Sequence, residues 1–122
     1  MIYLGCPYSH PDPAIVQKRF EYVTRVAGAL MKRGYVVFSP ITHSHPIAML
    51  EKMPGTWEFW AEQDLHILAL CDELHVLELP GWQQSVGLRA EINAAVHAGL
   101  RVKRWDPSDF DYPLSDLRAC GL

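Results

Sequence analysis

A chain of 122 residues with 49% hydrophobic and 20% charged side chains has the size and composition of one packed domain, not of a disordered segment. Eleven Lys and Arg against fourteen Asp and Glu leave a net charge of −3, without the basic surplus that a nucleic-acid binder sets against phosphates. No apolar run reaches the ~20 residues of a membrane span, Met1–Cys6 lacks the basic flank of a signal peptide, and the three scattered cysteines, Cys6, Cys71 and Cys120, suit a reducing compartment.

The expectation is therefore a single cytoplasmic domain over residues 1–122, with no membrane and no nucleic-acid polymer as partner. Met1–Gly5 is a short apolar strand that stops at a glycine, followed by turn material with Pro7, Pro11 and Pro13. Asp12 caps a helix that opens on Pro13, carries Val16, Phe20, Val23, Ala27 and Leu30 at three-to-four spacing, and ends before Gly34. Tyr35–Ser39 is a β-branched and aromatic run, read as a second strand closed by Pro40. Ile41–Gly55 is read as loop with one short helix at Ile47–Lys52. Thr56 caps a helix over Trp57–Leu70, and Leu74–Leu79 is the third strand. Ser85 caps a third long helix that runs through Ala98. Leu100–Trp105 supplies a fourth strand, and a short helix is expected near Leu114–Ala119.

Strands alternating with helices require crossovers, and right-handed crossovers cover both faces of a parallel sheet. The predicted fold is a three-layer α/β domain of the Rossmann or flavodoxin-like kind, with a mainly parallel four- or five-stranded sheet. Ligands bind such sheets beyond the C-terminal ends of the strands, where strand order reverses. That rule selects the loops Gly5–Pro13, Pro40–Gly55 and Pro80–Ser85.

Two carboxylates sit where apolar residues belong. Asp64 falls on the stripe of Trp57, Trp60, Ala61, Leu65 and Leu68, and Glu91 lies beside Leu88, Ile92 and Ala95. A carboxylate on a core-facing stripe is costly unless it is partnered, so each either reaches water at the stripe's rim or belongs to a site. Paired carboxylates in separate environments are what acid/base or nucleophilic work at a glycosidic bond requires. Ser85 and Gly87 open the helix bearing Glu91: the helix start offers an anion site and Gly87 close backbone approach, or Ser85 is an ordinary cap. Tyr8 either orients a carboxylate or covers the core edge.

His43 and His45 invite a metal reading, but two ligands in a proline-bounded loop are too few, and they are expected to line the cleft instead. No metal or organic cofactor is expected. His66, His75 and His97 read as surface or strand-edge residues. Cys6 follows the first strand as a conceivable nucleophile, while Cys71 and Cys120 read as packing. Trp57, Trp60 and Trp82 suit either an aromatic shelf for a base or a core or interface role.

Three motifs in order carry a family likeness: Gly5, Pro7 and Tyr8 after the first strand; Gln63, Asp64 and Leu65 on a helix; and Ser85, Gly87, Glu91, Ala94 and Ala95. Together they resemble the nucleoside 2-deoxyribosyltransferase superfamily, which includes nucleoside 5′-monophosphate N-glycosidases, over residues 1–105. The likeness is greatest to a small bacterial branch of unknown function that has Trp57, Trp60, Gly81 and Trp82. The resemblance implies Glu91 as nucleophile toward the anomeric carbon, Asp64 as the acid/base partner at the leaving base, and Tyr8 as the phenol that holds the nucleophile. It implies that Glu91 is ionised while the Asp64 carboxyl is raised toward neutrality, and that Ser85, where related transferases carry an acid, meets a 5′-phosphate or 5′-hydroxyl. Gly5, Gly87, His43, His45, Trp82 and Arg19 complete the implied substrate-binding set, and a homo-oligomer is implied as well. The rival from another class is a nucleotide-binding module without turnover, which would hold Glu91 in a salt bridge with Arg89, Arg101 or Arg104.

Overall fold

The computed structural model describes residues 1–114. The element order is β1 (Ile2–Gly5), α1 (Pro13–Lys32), β2 (Val37–Phe38), α2 (Pro40–Glu51), α3 (Trp57–Ala69), β3 (Glu73–Leu77), α4 (Val86–His97) and β4 (Arg101–Trp105). Short 3-10 turns occupy Trp82–Gln84 and Pro107–Asp109. The strands form one parallel sheet in the order β2-β1-β3-β4. This is the three-layer α/β fold that the alternation of strands and helices predicts.

Each face of the sheet has its own core because successive strand side chains point to opposite sides. Leu4 and Leu77 join Val23, Val26 and Leu30 of α1 on one face. Tyr3, Leu74 and Val76 join Leu68 of α3 and Leu88 and Ala95 of α4 on the other. Tyr3 thereby faces α4, whereas its neighbour Leu4 faces α1. The chain leaves β1 toward β2 and returns past β1 to β3, so strand order reverses between β1 and β3. Their C-terminal ends, Gly5 and Leu77, mark the switch point.

Helix signals act as expected in α1: Asp12 accepts a hydrogen bond from the Ala14 amide at 2.9 Å, and Pro13 occupies the first turn. The segment read as loop with a short helix at Ile47–Lys52 is instead largely one helix, α2, twelve residues capped by Ser39, whose hydroxyl accepts from the Thr42 amide at 3.2 Å. Pro40 in the first turn is a start signal, but Pro46 inside the helix and the lack of an apolar period hide it from a pattern search. Apolar residues emerge on several sides of α2, including the exposed Ile47, Met49 and Leu50. The second strand is shorter than predicted, only Val37–Phe38, and Thr56 precedes α3 without a side-chain cap.

His75 is not a surface residue: it lies in the inner strand β3, 1% exposed, between Glu73 at 2.9 Å and the Trp105 indole N–H at 3.0 Å. Cys6 and Cys71 are buried packing residues. Cys120 and most of the helix expected at Leu114–Ala119 lie outside the described residues. Among the described residues, no helix is long and apolar enough to cross a membrane.

Candidate active site

A cleft of about 820 Å³ opens beyond the C-terminal ends of β1 and β3, walled by the β1–α1 loop, α1, α2, α3 and the start of α4. Glu91 and Asp64 both line it. Glu91 projects from the first half of α4 and is 5% exposed. Its Oε2 accepts the hydroxyl of Tyr3, also buried, on the strand that α4 covers. The phenol on the carboxyl is therefore that of Tyr3, and the expectation for Tyr8 is corrected. A tyrosine inside the apolar run Ile2–Gly5 reads as core, and the sequence holds no sign that its hydroxyl meets a residue 88 positions away.

Gly5 has a steric role rather than a substrate contact. A Cβ there would stand 3.3 Å from Glu91 Oε1 and 3.2 Å from Leu88 Cδ1, so glycine at the strand end lets α4 bring its carboxyl this close without displacing either side chain. Gly87 lines the cleft as expected and also serves packing: a Cβ would meet the Trp57 ring at 3.0 Å, so its bare backbone seats that indole.

Burial governs the electrostatics. It raises the Glu91 carboxyl to about 8, with neighbouring Asp64 adding to the rise and the Tyr3 hydrogen bond opposing it. Burial likewise raises Asp64 to about 6, in line with expectation. Asp64 Oδ1 is buried without a hydrogen-bond partner among the described residues, as is Arg19 Nε, and such atoms are few in native interiors. Burial and the neighbouring Asp64 thus oppose the ionised Glu91 that the resemblance implies, and favour a proton shared by the pair. The Tyr3 phenol is pushed far above its ordinary value by burial and by both carboxylates, so it remains a donor.

The opposite wall carries a second polar array. Tyr8 hydroxyl lies 2.5 Å from His45 Nδ1, and His45 Nε2 lies 2.9 Å from Gln17 Oε1. Burial lowers the His45 value, and Phe20 stacks on its ring at 4.4 Å. His45 thus lines the cleft as expected, whereas His43 is exposed, outside the lining, with Nδ1 3.1 Å from the Ser44 hydroxyl. Gln17 was not singled out by the sequence because a glutamine on a mixed helix face carries no pattern.

Arg19 does not reach the cleft. Its guanidinium is buried and donates to the carbonyls of Tyr8 at 3.3 Å, Ser9 at 2.9 Å and Pro80 at 3.2 Å, tying the two loops that flank the switch point. Trp82 is likewise outside the lining: it packs on the core beside Tyr3, with the Arg104 guanidinium 4.9 Å above its ring. Ser85 lines the cleft, but its hydroxyl accepts the Leu88 amide at 3.2 Å and so closes the helix end. Trp57 and Trp60 also line the cleft. The charged side chains on the described lining are Glu58, Asp64 and Glu91, with the imidazoles of His10 and His45. No group of three or more potential metal ligands occurs among the described residues.

Fold and site together define a parallel α/β domain with a carboxylate-bearing cleft at its topological switch point. Residues 1–107 match the family described as Domain of unknown function (DUF1937), and the chain belongs to that family. No curated protein matches the chain.

Proposed function

We propose that the cleft cleaves or transfers at the N-glycosidic bond of a nucleoside or nucleoside 5′-monophosphate. The observation that carries this reading is the pair of carboxyls at the cleft floor: Glu91 buried and held by the Tyr3 phenol, and Asp64 with an unpartnered buried oxygen. A carboxylate buried without a counter-charge is destabilised in the empty site and relieved by positive charge nearby. An oxocarbenium-like sugar supplies that charge only as the bond to the base breaks, so the relief falls on the transition state.

In the proposed reaction the Glu91 carboxylate bonds to the anomeric carbon while the carbon–nitrogen bond breaks. The electron pair leaves with the base, which takes the Asp64 proton. The ionised Asp64 then accepts a proton from water, whose oxygen displaces Glu91 from the sugar, or a second base takes the sugar in transfer. The pair must therefore hold one proton in total. The window between about 6 and about 8 meets that need whichever carboxyl carries the proton at rest.

The acidic lining favours a neutral nucleoside over its 5′-monophosphate, since a phosphate dianion is repelled by Glu58 and by the single negative charge that the Asp64–Glu91 pair retains. The Ser85 hydroxyl, engaged with the Leu88 amide, adds little to phosphate binding. The binding-module reading predicts an arginine on Glu91, but Arg104 pairs with Glu78 and Arg89 donates to the Gln83 carbonyl.

The test is a panel of ribo- and deoxyribonucleosides and their 5′-monophosphates, with free base read by chromatography and Glu91→Gln as control. Base release that vanishes in the variant, with a pentosyl mass increment on the wild-type protein, supports the reading. Silence across the panel, with or without an acceptor base, refutes it.

A further inference from the structure

The array on the cleft wall opposite Glu91 has a direction that can be read from one end. On α1, Gln17 Nε2 donates to Glu21 Oε2 at 3.1 Å, an i to i+4 pair. A carboxylate only accepts, so this bond orients the Gln17 amide and turns its carbonyl toward α2. The carbonyl can only accept, so His45 Nε2, 2.9 Å away, carries the imidazole proton. With the ring neutral, Nδ1 is then a bare acceptor, and Tyr8, 2.5 Å away, must donate its hydroxyl proton to it. Phe20 stacked on the imidazole at 4.4 Å and the burial of His45 at 4% exposure hold the ring in that orientation.

We infer that Tyr8 is a specificity-determining residue whose oxygen, its proton committed to His45, accepts a hydrogen bond from a pentose hydroxyl of the ligand in the cleft. The Tyr8 hydroxyl has no other hydrogen-bond partner among the described residues, and Tyr8 lines the cleft. A ligand group that is itself an acceptor, such as a carbonyl or a phosphate oxygen, meets lone pairs there and is rejected. A site built to pair with one hydroxyl discriminates strongly against the analogue that lacks it, because the paired group is left without its partner. The identity of the ligand as a nucleoside rests on the proposed function; the direction of the array does not.

Two measurements test the inference. Nitrogen-15 NMR of the histidine side chains, with His45→Asn for assignment, should show His45 as the neutral tautomer protonated on Nε2. A tautomer protonated on Nδ1 reverses the array and overturns the inference. Binding is then measured by calorimetry on Glu91→Gln protein, in which turnover is silenced, with adenosine, cytidine, guanosine and uridine and the 2′-, 3′- and 5′-deoxy analogues of the tightest binder. Removal of one particular hydroxyl should weaken binding at least tenfold, and in Glu91→Gln protein that also carries Tyr8→Phe the same removal should cost less than threefold. Equal sensitivity in both proteins, or no binding of any nucleoside, overturns the assignment. Hydroxyl discrimination that persists while the wild type releases no base would leave the inference standing and the glycosidase reading refuted.

Discussion

Replacing Glu91 by glutamine should make the protein more stable, and increasingly so as pH rises. Glutamine keeps the shape of the side chain and leaves an amide oxygen to accept the Tyr3 hydroxyl, so packing against Gly5 and Leu88 is preserved. What it removes is a carboxyl that folding raises from near 4.5 to about 8. The sign follows from proton linkage. A carboxyl that binds its proton more tightly in the folded state adds stability that is fully present below the unfolded value, and that stability is lost as pH rises through the folded value. Between pH 4.5 and 8 the wild type should therefore lose up to about 5 kcal/mol through this one group, the free energy equivalent of the difference at ~1.36 kcal/mol per pH unit. That is a large share of the ~5–15 kcal/mol that stabilises a typical domain. Urea unfolding followed by tryptophan fluorescence at pH 5, 7 and 9 measures it. The wild-type midpoint should fall across the series, and Glu91→Gln should fall much less. Parallel curves for the two proteins would refute the claim that burial opposes the charge on Glu91.

Three other outcomes are expected. The rate of base release should trace a bell in pH with limbs near 6 and 8, set by the Asp64–Glu91 pair, and Asp64→Asn should abolish the bell along with most of the activity. Gly5→Ala, which sets a methyl 3.2–3.3 Å from Leu88 and Glu91, should cost ~1–3 kcal/mol in thermal unfolding and displace the carboxyl enough to reduce activity at least tenfold. Arg19→Met leaves three loop carbonyls without their buried donor and should cost ~2–4 kcal/mol, with a lowered melting temperature and faster hydrogen exchange at Ser9 and Gly81.

The carboxyl pair was legible because burial rules are local: Asp64 and Glu91 stand among apolar residues at helical spacing, and two such exceptions on helices flanking one strand outweigh the alternative that each reaches water at its stripe's rim. Their partners were less so. Tyr3 and Tyr8 are both tyrosines near the first strand, and choosing between them needs the facing of each strand position toward α1 or α4, which the apolar run Ile2–Gly5 does not reveal. Helix α2 was hidden by Pro46 and by apolar residues on several sides, and with it the placement of His45 inside the cleft and His43 outside. Arg19 looked like a ligand contact because charge suggests an anion. Only the fold shows that its partners are three main-chain carbonyls.

That last contact bears on how the cleft can change over generations. Arg19 grips the main chain at Tyr8, Ser9 and Pro80, and a carbonyl oxygen is the same whatever side chain follows it. The clamp is thus indifferent to the residues that face the ligand. Side chains at positions 8 and 9 can be exchanged, altering what the cleft recognises, while both loops stay anchored beneath it. Diversification of specificity and preservation of the scaffold are thereby assigned to different atoms of the same residues.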